Sequence, residues 1–126
     1  MIVSGSNDCK IKVWSASRGD CTQTLTGHEQ LVRALSFDPA TGRLVSASYD
    51  KSVKVWDLDT GKLTTEFKNN HASHIFDVKF DARRIVRSVV NPNILLSLVS
   101  CLCSTSHDQK IVVLNFSEEL DTAMFV

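Results

Sequence analysis

This sequence lacks a net charge. Its 126 residues hold 14 Lys+Arg against 14 Asp+Glu, so no one-signed field marks it for a nucleic acid or an anionic membrane. It lacks signal-peptide character in its opening stretch: "MIVSGSNDCKIKVW" has no charged stretch followed by a long apolar one, so that stretch is not expected to be a signal peptide. It lacks a CxxC pair. Cys9, Cys21, Cys101 and Cys103 are too scattered for a disulfide scaffold, and a reducing, intracellular compartment (cytoplasmic or nuclear) fits them. It lacks a membrane span. The greasiest stretch, 87–103, is broken by Asn91-Pro92-Asn93. The remainder, Ile94 to Cys103, falls well short of the roughly twenty residues a helix needs to cross. No window carries a useful helical face either.

What is present is a repeat. "VSGSNDCKIKVW" (3–14) lies above "VSASYDKSVKVW" (45–56) at an offset of 42, with seven of twelve positions identical. "SASRGDCTQTL" (15–25) then lies above "DLDTGKLTTEF" (57–67), each with a glycine turn at Gly19 or Gly61. "GHEQLVRALSFDPATGRLVS" (27–46) has its counterpart in "NHASHIFDVKFDARRIV" (70–86), His28 over His71 and Phe37 over Phe80. The next part of the pattern resumes at Ser104, in "STSHDQKIVVLNF". The 17 residues 87–103 stand between.

Short runs rich in β-branched and apolar residues, such as "LVRALSF", "RLVSAS", "SVKVW" and "KLTTEF", are separated by turn residues. Each repeat therefore reads as a four-stranded antiparallel meander. Strands are expected near 2–6, 10–14, 21–25, 31–37, 43–48, 52–57, 63–67, 74–80, 84–86 continuing at 104–106, and 109–116. The tail offers a further strand near 121–126.

Gly27-His28, Ser46-Ala-Ser-Tyr-Asp50 and Val53-Lys-Val-Trp56-Asp57 resemble the WD40-repeat family of β-propellers. The pattern returns as Ser4-Gly-Ser-Asn-Asp8 with Val13-Trp14, and more weakly as Ser104-Thr-Ser-His-Asp108 with Leu114-Asn115. The resemblance covers nearly all of the chain except 87–103 and the tail after Ser117. It departs from the family pattern at Asn70 in place of glycine, at Ser15 after Trp14, and at Leu114 in place of tryptophan. The fold it implies is all-β: a partial WD40 β-propeller of under three four-stranded antiparallel blades. The repeats lie near 1–26, 27–69 and 70–117, interrupted by 87–103, and 118–126 is a C-terminal tail. The repeat text and tail are similar to the last repeats of fungal F-box/WD40 proteins, which are ubiquitin-ligase substrate receptors. The chain is accordingly read as a fragment, truncated or taken from the C-terminal end of a longer protein.

The resemblance also implies a structural tetrad of His, Ser, Asp and Trp in each blade. In the second repeat these are His28, Asp50, Trp56 and either Ser46 or Ser48, which the sequence does not separate. The third has His71, Ser104 and Asp108 without an indole. The first has Ser4, Asp8 and Trp14 without a histidine. A buried polar group of this kind survives only when each member is bonded. The family's common docking face implies Asn7, Arg33, Tyr49, Phe76 and His107 as partner-binding residues. The expected partner is a protein, in finer detail an acidic or phosphorylated peptide, with no cofactor and no metal.

Other readings weigh less. Ser, His and Asp suggest a hydrolase triad, but no G-x-S-x-G elbow exists and the serines lie mid-strand. His71 and His74 are spaced i, i+3, which no strand puts on one face, so they make a poor metal pair. Arg18-Gly19-Asp20 falls where the second repeat has a plain turn, and the sequon Asn115-Phe-Ser117 falls at a strand end. The segment 87–103 reads as a retained intron translated in frame, falling between Val86 and Ser104 inside a strand. A genuine hydrophobic insertion is the alternative. The function expected is a non-catalytic interaction scaffold. Its alternative is a truncated or intron-retaining product with no function of its own.

Overall fold

The structure, a computed structural model, describes residues 1–81, 100–117 and 120–125. Eleven strands form three antiparallel sheets among these residues, with no helix. The first sheet is β1 (Ile2–Gly5), β2 (Ile11–Trp14) and β3 (Cys21–Leu25). The second is β4 (Val32–Asp38), β5 (Arg43–Ser48), β6 (Val53–Asp57) and β7 (Lys62–Phe67). The third is β8 (Ile75–Asp81), β9 (Ser100–Ser106), β10 (Ile111–Ser117) and β11 (Leu120–Phe125). Each sheet is a meander whose neighbours in space are neighbours in sequence.

The sheets stack through apolar side chains that alternate along the strands. Ile11, Val13 and Leu25 of the first sheet pack with Val32, Leu44, Trp56 and Leu58 of the second. Val45, Ala47, Val53 and Val55 leave the opposite face of the second sheet to meet Ile75, Val78, Leu102 and Val112 of the third. The middle sheet is thus covered on both sides, and Leu44 to Ser48 are buried without a break. Full burial of an aliphatic side chain is worth about 1.5–3 kcal/mol, so these two seams hold the stack together. The outer strand β7 is largely exposed, as its more polar sequence "KLTTEF" requires.

One expectation needs correction. The strand expected at 84–86 and 104–106 is one run, Ser100–Ser106, so 100–103 are strand residues and not part of an interruption. Leu102 lies opposite Phe80 and Leu114, in the place Leu44 takes opposite Phe37 and Trp56. "CLC" offers the same alternation as "RIV", and a strand cannot admit extra residues without breaking its ladder. The excess chain therefore sits between β8 and β9, where 82–99 lie outside the described residues. The strand offered for the tail is present: Leu120–Phe125 pair with β10 as the fourth strand of the third sheet.

Candidate functional site

In the second sheet a polar relay crosses the strands. The Trp56 indole donates to Ser46 Oγ at 2.8 Å, and Ser46 Oγ lies 2.7 Å from His28 Nε2. His28 Nδ1 lies 2.7 Å from Asp50 Oδ2. One arrangement of protons satisfies every member: the serine hydroxyl donates to Nε2, and Nδ1–H donates to the carboxylate. Asp50 Oδ2 also accepts the Glu29 amide, and Oδ1 accepts both the amide and the hydroxyl of Ser52. Burial works against the charge on Asp50. The bonds from His28, Ser52 and Glu29 overcome it and hold its pKa well below the ordinary carboxylate range.

Ser48 stands apart from this relay. Its hydroxyl donates to the Gln30 carbonyl and accepts the Asp50 amide. Ser46 has no exposed surface, so a substrate has no path to its hydroxyl. Gly27 sits just ahead of His28 at φ 151°, where an added Cβ would stand 3.2 Å from the Trp56 ring. In the third repeat the matching residues are Asn70 and Leu114, so glycine occurs where an indole occupies the space.

The third sheet repeats the relay. His71 Nε2 lies 2.8 Å from Ser104 Oγ, and Nδ1 lies 3.1 Å from Asp108 Oδ2. Burial again opposes the charge. The amides of Ala72 and Lys110 and the His71 ring outweigh it and lower Asp108 to about 2. The first sheet has the Trp14 indole bonded to Ser4 Oγ at 2.9 Å, and Asp8 Oδ1 accepting the Lys10 amide.

The five docking candidates lie at the end of the sheets that carries these aspartate turns. Asn7, Tyr49 and His107 are in the β1–β2, β5–β6 and β9–β10 turns, and Arg33 and Phe76 are near the starts of β4 and β8. Three of them join one cluster. Tyr49 stacks on His74 with ring centres 4.5 Å apart and planes 4° from parallel. Phe76 meets Tyr49 edge-on at 6.0 Å and His107 at 6.1 Å. His74, Phe76, His107, Arg33 and Asn7 are exposed, and neither Arg33 nor Asn7 belongs to the ring cluster.

Arg33 and Phe76 share a further feature. The β4–β5 register shifts between Val32 and Ala34, and the β8–β9 register shifts between Ile75 and Asp77. Each residue is the extra one of a bulge, which turns its side chain away from the ordinary strand alternation. Sequence reasoning missed His74 because its counterpart in the second repeat is Leu31, so no repeated letter pointed to it.

A family model described as "WD domain, G-beta repeat" matches residues 1–15 and 19–57. Over those residues the chain matches the WD40-repeat family. Pre-mRNA-processing factor 17 of Mus musculus is 39% identical over 83 residues, 64% of this chain and 14% of that protein. Nuclear distribution protein nudF 2 of Aspergillus clavatus is 43% identical over 75 residues, 59% of this chain and 17% of that one. A crystal structure of RRP9 WD40 repeats superposes with TM-score 0.75 over 98% of this chain and 32% of that chain, at 24% identity. The chain thus spans about a seventh of the length of the first of these relatives. The three sheets share the fold of those WD40 blades, and together they make part of a propeller.

Proposed function

We propose that this WD40 chain acts as a non-catalytic docking surface for a protein partner, at the blade end that carries the Asp50 and Asp108 turns. The ring cluster of Tyr49, His74, Phe76 and His107 carries the reading. Aromatic and arginine side chains dominate interface energies, and here they stand on turns and bulges held by a buried frame. Arg33 adds a planar fork suited to carboxylate or phosphate, so the finer expectation is an acidic or phosphorylated peptide. An exposed arginine engaged only by an acid such as Glu29 would contribute little. The relatives' names, for pre-mRNA processing and nuclear distribution, supply intracellular settings for such docking. A ubiquitin-ligase substrate receptor is a narrower use of the same surface.

The test is an array of acidic and phosphoserine peptides, each with an uncharged counterpart. Peptides that bind the chain should lose at least tenfold in affinity in the Arg33→Ala/Tyr49→Ala double variant, with the circular dichroism unchanged. Undiminished binding in that variant removes this face as the site.

A further inference from the structure

The ring cluster has a shape that charge does not explain. Tyr49, Phe76 and His107 follow one another, with ring centres 6.0 and 6.1 Å apart and planes at 84° and 71°. Phe76, the middle ring, is 39% exposed. As the extra residue of its bulge it stands clear of the β8–β9 ladder. Its steep contacts leave a corner on either side, one against Tyr49 and one against His107. His74 lies face to face with Tyr49 at 4.5 Å, which fixes the tilt of the tyrosine ring. These four side chains include no carboxylate, ammonium or guanidinium, and Arg33 stands outside the set.

The polar atoms of these rings are unspent. The Tyr49 hydroxyl and the ring nitrogens of His74 and His107 have no hydrogen-bond partner among the described residues. The main chain around them is already engaged. The amides of Tyr49 and His107 donate to the carbonyls of Leu31 and His74. The Ser73 and His74 carbonyls accept the Ser106 hydroxyl. The amides of Asp50 and Asp108 donate to the hydroxyls of Ser48 and Ser106. The cluster therefore offers ring faces and side-chain donors, but no free backbone ladder on which a strand could be added.

Such a surface suits an occupant with apolar rings for the corners, bare carbonyls for the donors, and no backbone N–H groups to satisfy. A polyproline II segment has all three features. Its carbonyls carry no internal bonds, and its prolines have no N–H. With three residues per turn, residues i and i+2 share one face and lie about 6 Å apart along the axis, close to the step from ring to ring here. It is extended before it binds, so a shallow, exposed site loses little in ordering it. We propose that Tyr49, Phe76 and His107 hold a proline-rich segment of the protein partner. Proline rings fill the two corners, and the Tyr49 hydroxyl and histidine N–H groups donate to its carbonyls. The inference rests on the docking reading and names what lies on its rings, while Arg33 serves a charged residue beside the segment. A trimethylated lysine also fits between aromatic rings, but here no carboxylate belongs to the set and the nearest unpaired charge offered, Arg33, is itself a cation.

Tyr49 is the sole tyrosine of the chain, so labelling tyrosine with carbon-13 places a single NMR reporter in the cluster. The full chain is titrated with three uncharged-backbone probes of equal length: eight prolines between two glycines, a glycine-serine peptide, and a glycine-serine peptide bearing one trimethyl-lysine. A saturable shift of the Tyr49 signal is expected with the oligoproline alone. Phe76→Ala should weaken it at least tenfold and Phe76→Leu nearly as much. Tyr49→Phe, followed on labelled phenylalanine, should weaken it severalfold through the lost hydroxyl. Arg33→Ala should leave it unchanged. Phe76 stands outside the ladder, so its variants should keep the circular dichroism of the parent. Equal binding of the glycine-serine or trimethyl-lysine peptide, undiminished oligoproline affinity in Phe76→Ala, or no saturable shift overturns the proposal. An acidic peptide that still binds through Arg33 and Tyr49 when the oligoproline does not overturns this inference and leaves the docking reading standing. Absence of both removes the face altogether.

Discussion

At the scale of the residue, Ser46 is the hinge of the second blade. It bonds a buried indole and a buried imidazole at once, so Ser46→Ala orphans both. An unmet buried polar group costs about 1–3 kcal/mol, and urea unfolding of Ser46→Ala should show a loss at least that large. Ser48→Ala, which frees the Gln30 carbonyl, should lose only about 1 kcal/mol. The sequence could not separate these serines because both point to the same face of β5. Only the register shows that Ser46 reaches His28. The histidines and aspartates themselves were legible, because the repeat aligned them. Asp50 and Asp108 also set the acid response. Their folded pKa values lie below the unfolded value of about 3.9, to about 2 for Asp108. The stability they contribute is therefore complete above that unfolded value and is lost as pH falls through the folded values. Thermal scans should show Tm falling steeply from pH 4 toward 2.

At the scale of the element, β6 and β7 hold a charge pair inside the sheet. Lys54 is almost fully buried and bonds Glu66, its direct cross-strand partner, while the exposed Lys68 bonds Glu66 from outside. Removing the acid strands a buried ammonium, whereas replacing the lysine by an apolar chain of like size removes charge and cost together. Glu66→Ala should therefore destabilise by about 1–3 kcal/mol, and Lys54→Met should be close to neutral in the same unfolding assay. Most strands were legible from alternation and turn residues. β9 was not, because "RIV" and "CLC" present interchangeable patterns to the same neighbours. Which one enters the ladder is decided by the path of the chain rather than by local preference. The bulges at Arg33 and Phe76 were also hidden, because a bulge leaves the letters of a strand unchanged.

At the scale of the whole molecule, three blades give two seams and two ends. Ile2, in the place of the buried Leu44, is 58% exposed, and Ile111, in the place of the buried Val53, is 66% exposed. Uncovered apolar surface of this kind drives association. Light scattering of the chain should rise with concentration, and Ile2→Ser with Ile111→Thr should lower it while leaving the circular dichroism intact. The stacking itself was legible in the sequence as a repeat whose middle copy is apolar on both faces of β5 and β6.

The bulges have a consequence for how such a chain can change. A residue standing outside the ladder has no pairing partner to satisfy, so its identity is uncoupled from the register of the strand that bears it. Arg33 and Phe76 occupy equivalent places on neighbouring blades, yet one is a cation and the other an aromatic ring. The backbone supplies the same socket each time, and the chemistry fitted to it is free to differ from blade to blade. The surface can therefore be rewritten letter by letter, like movable type in a fixed frame, without resetting the frame.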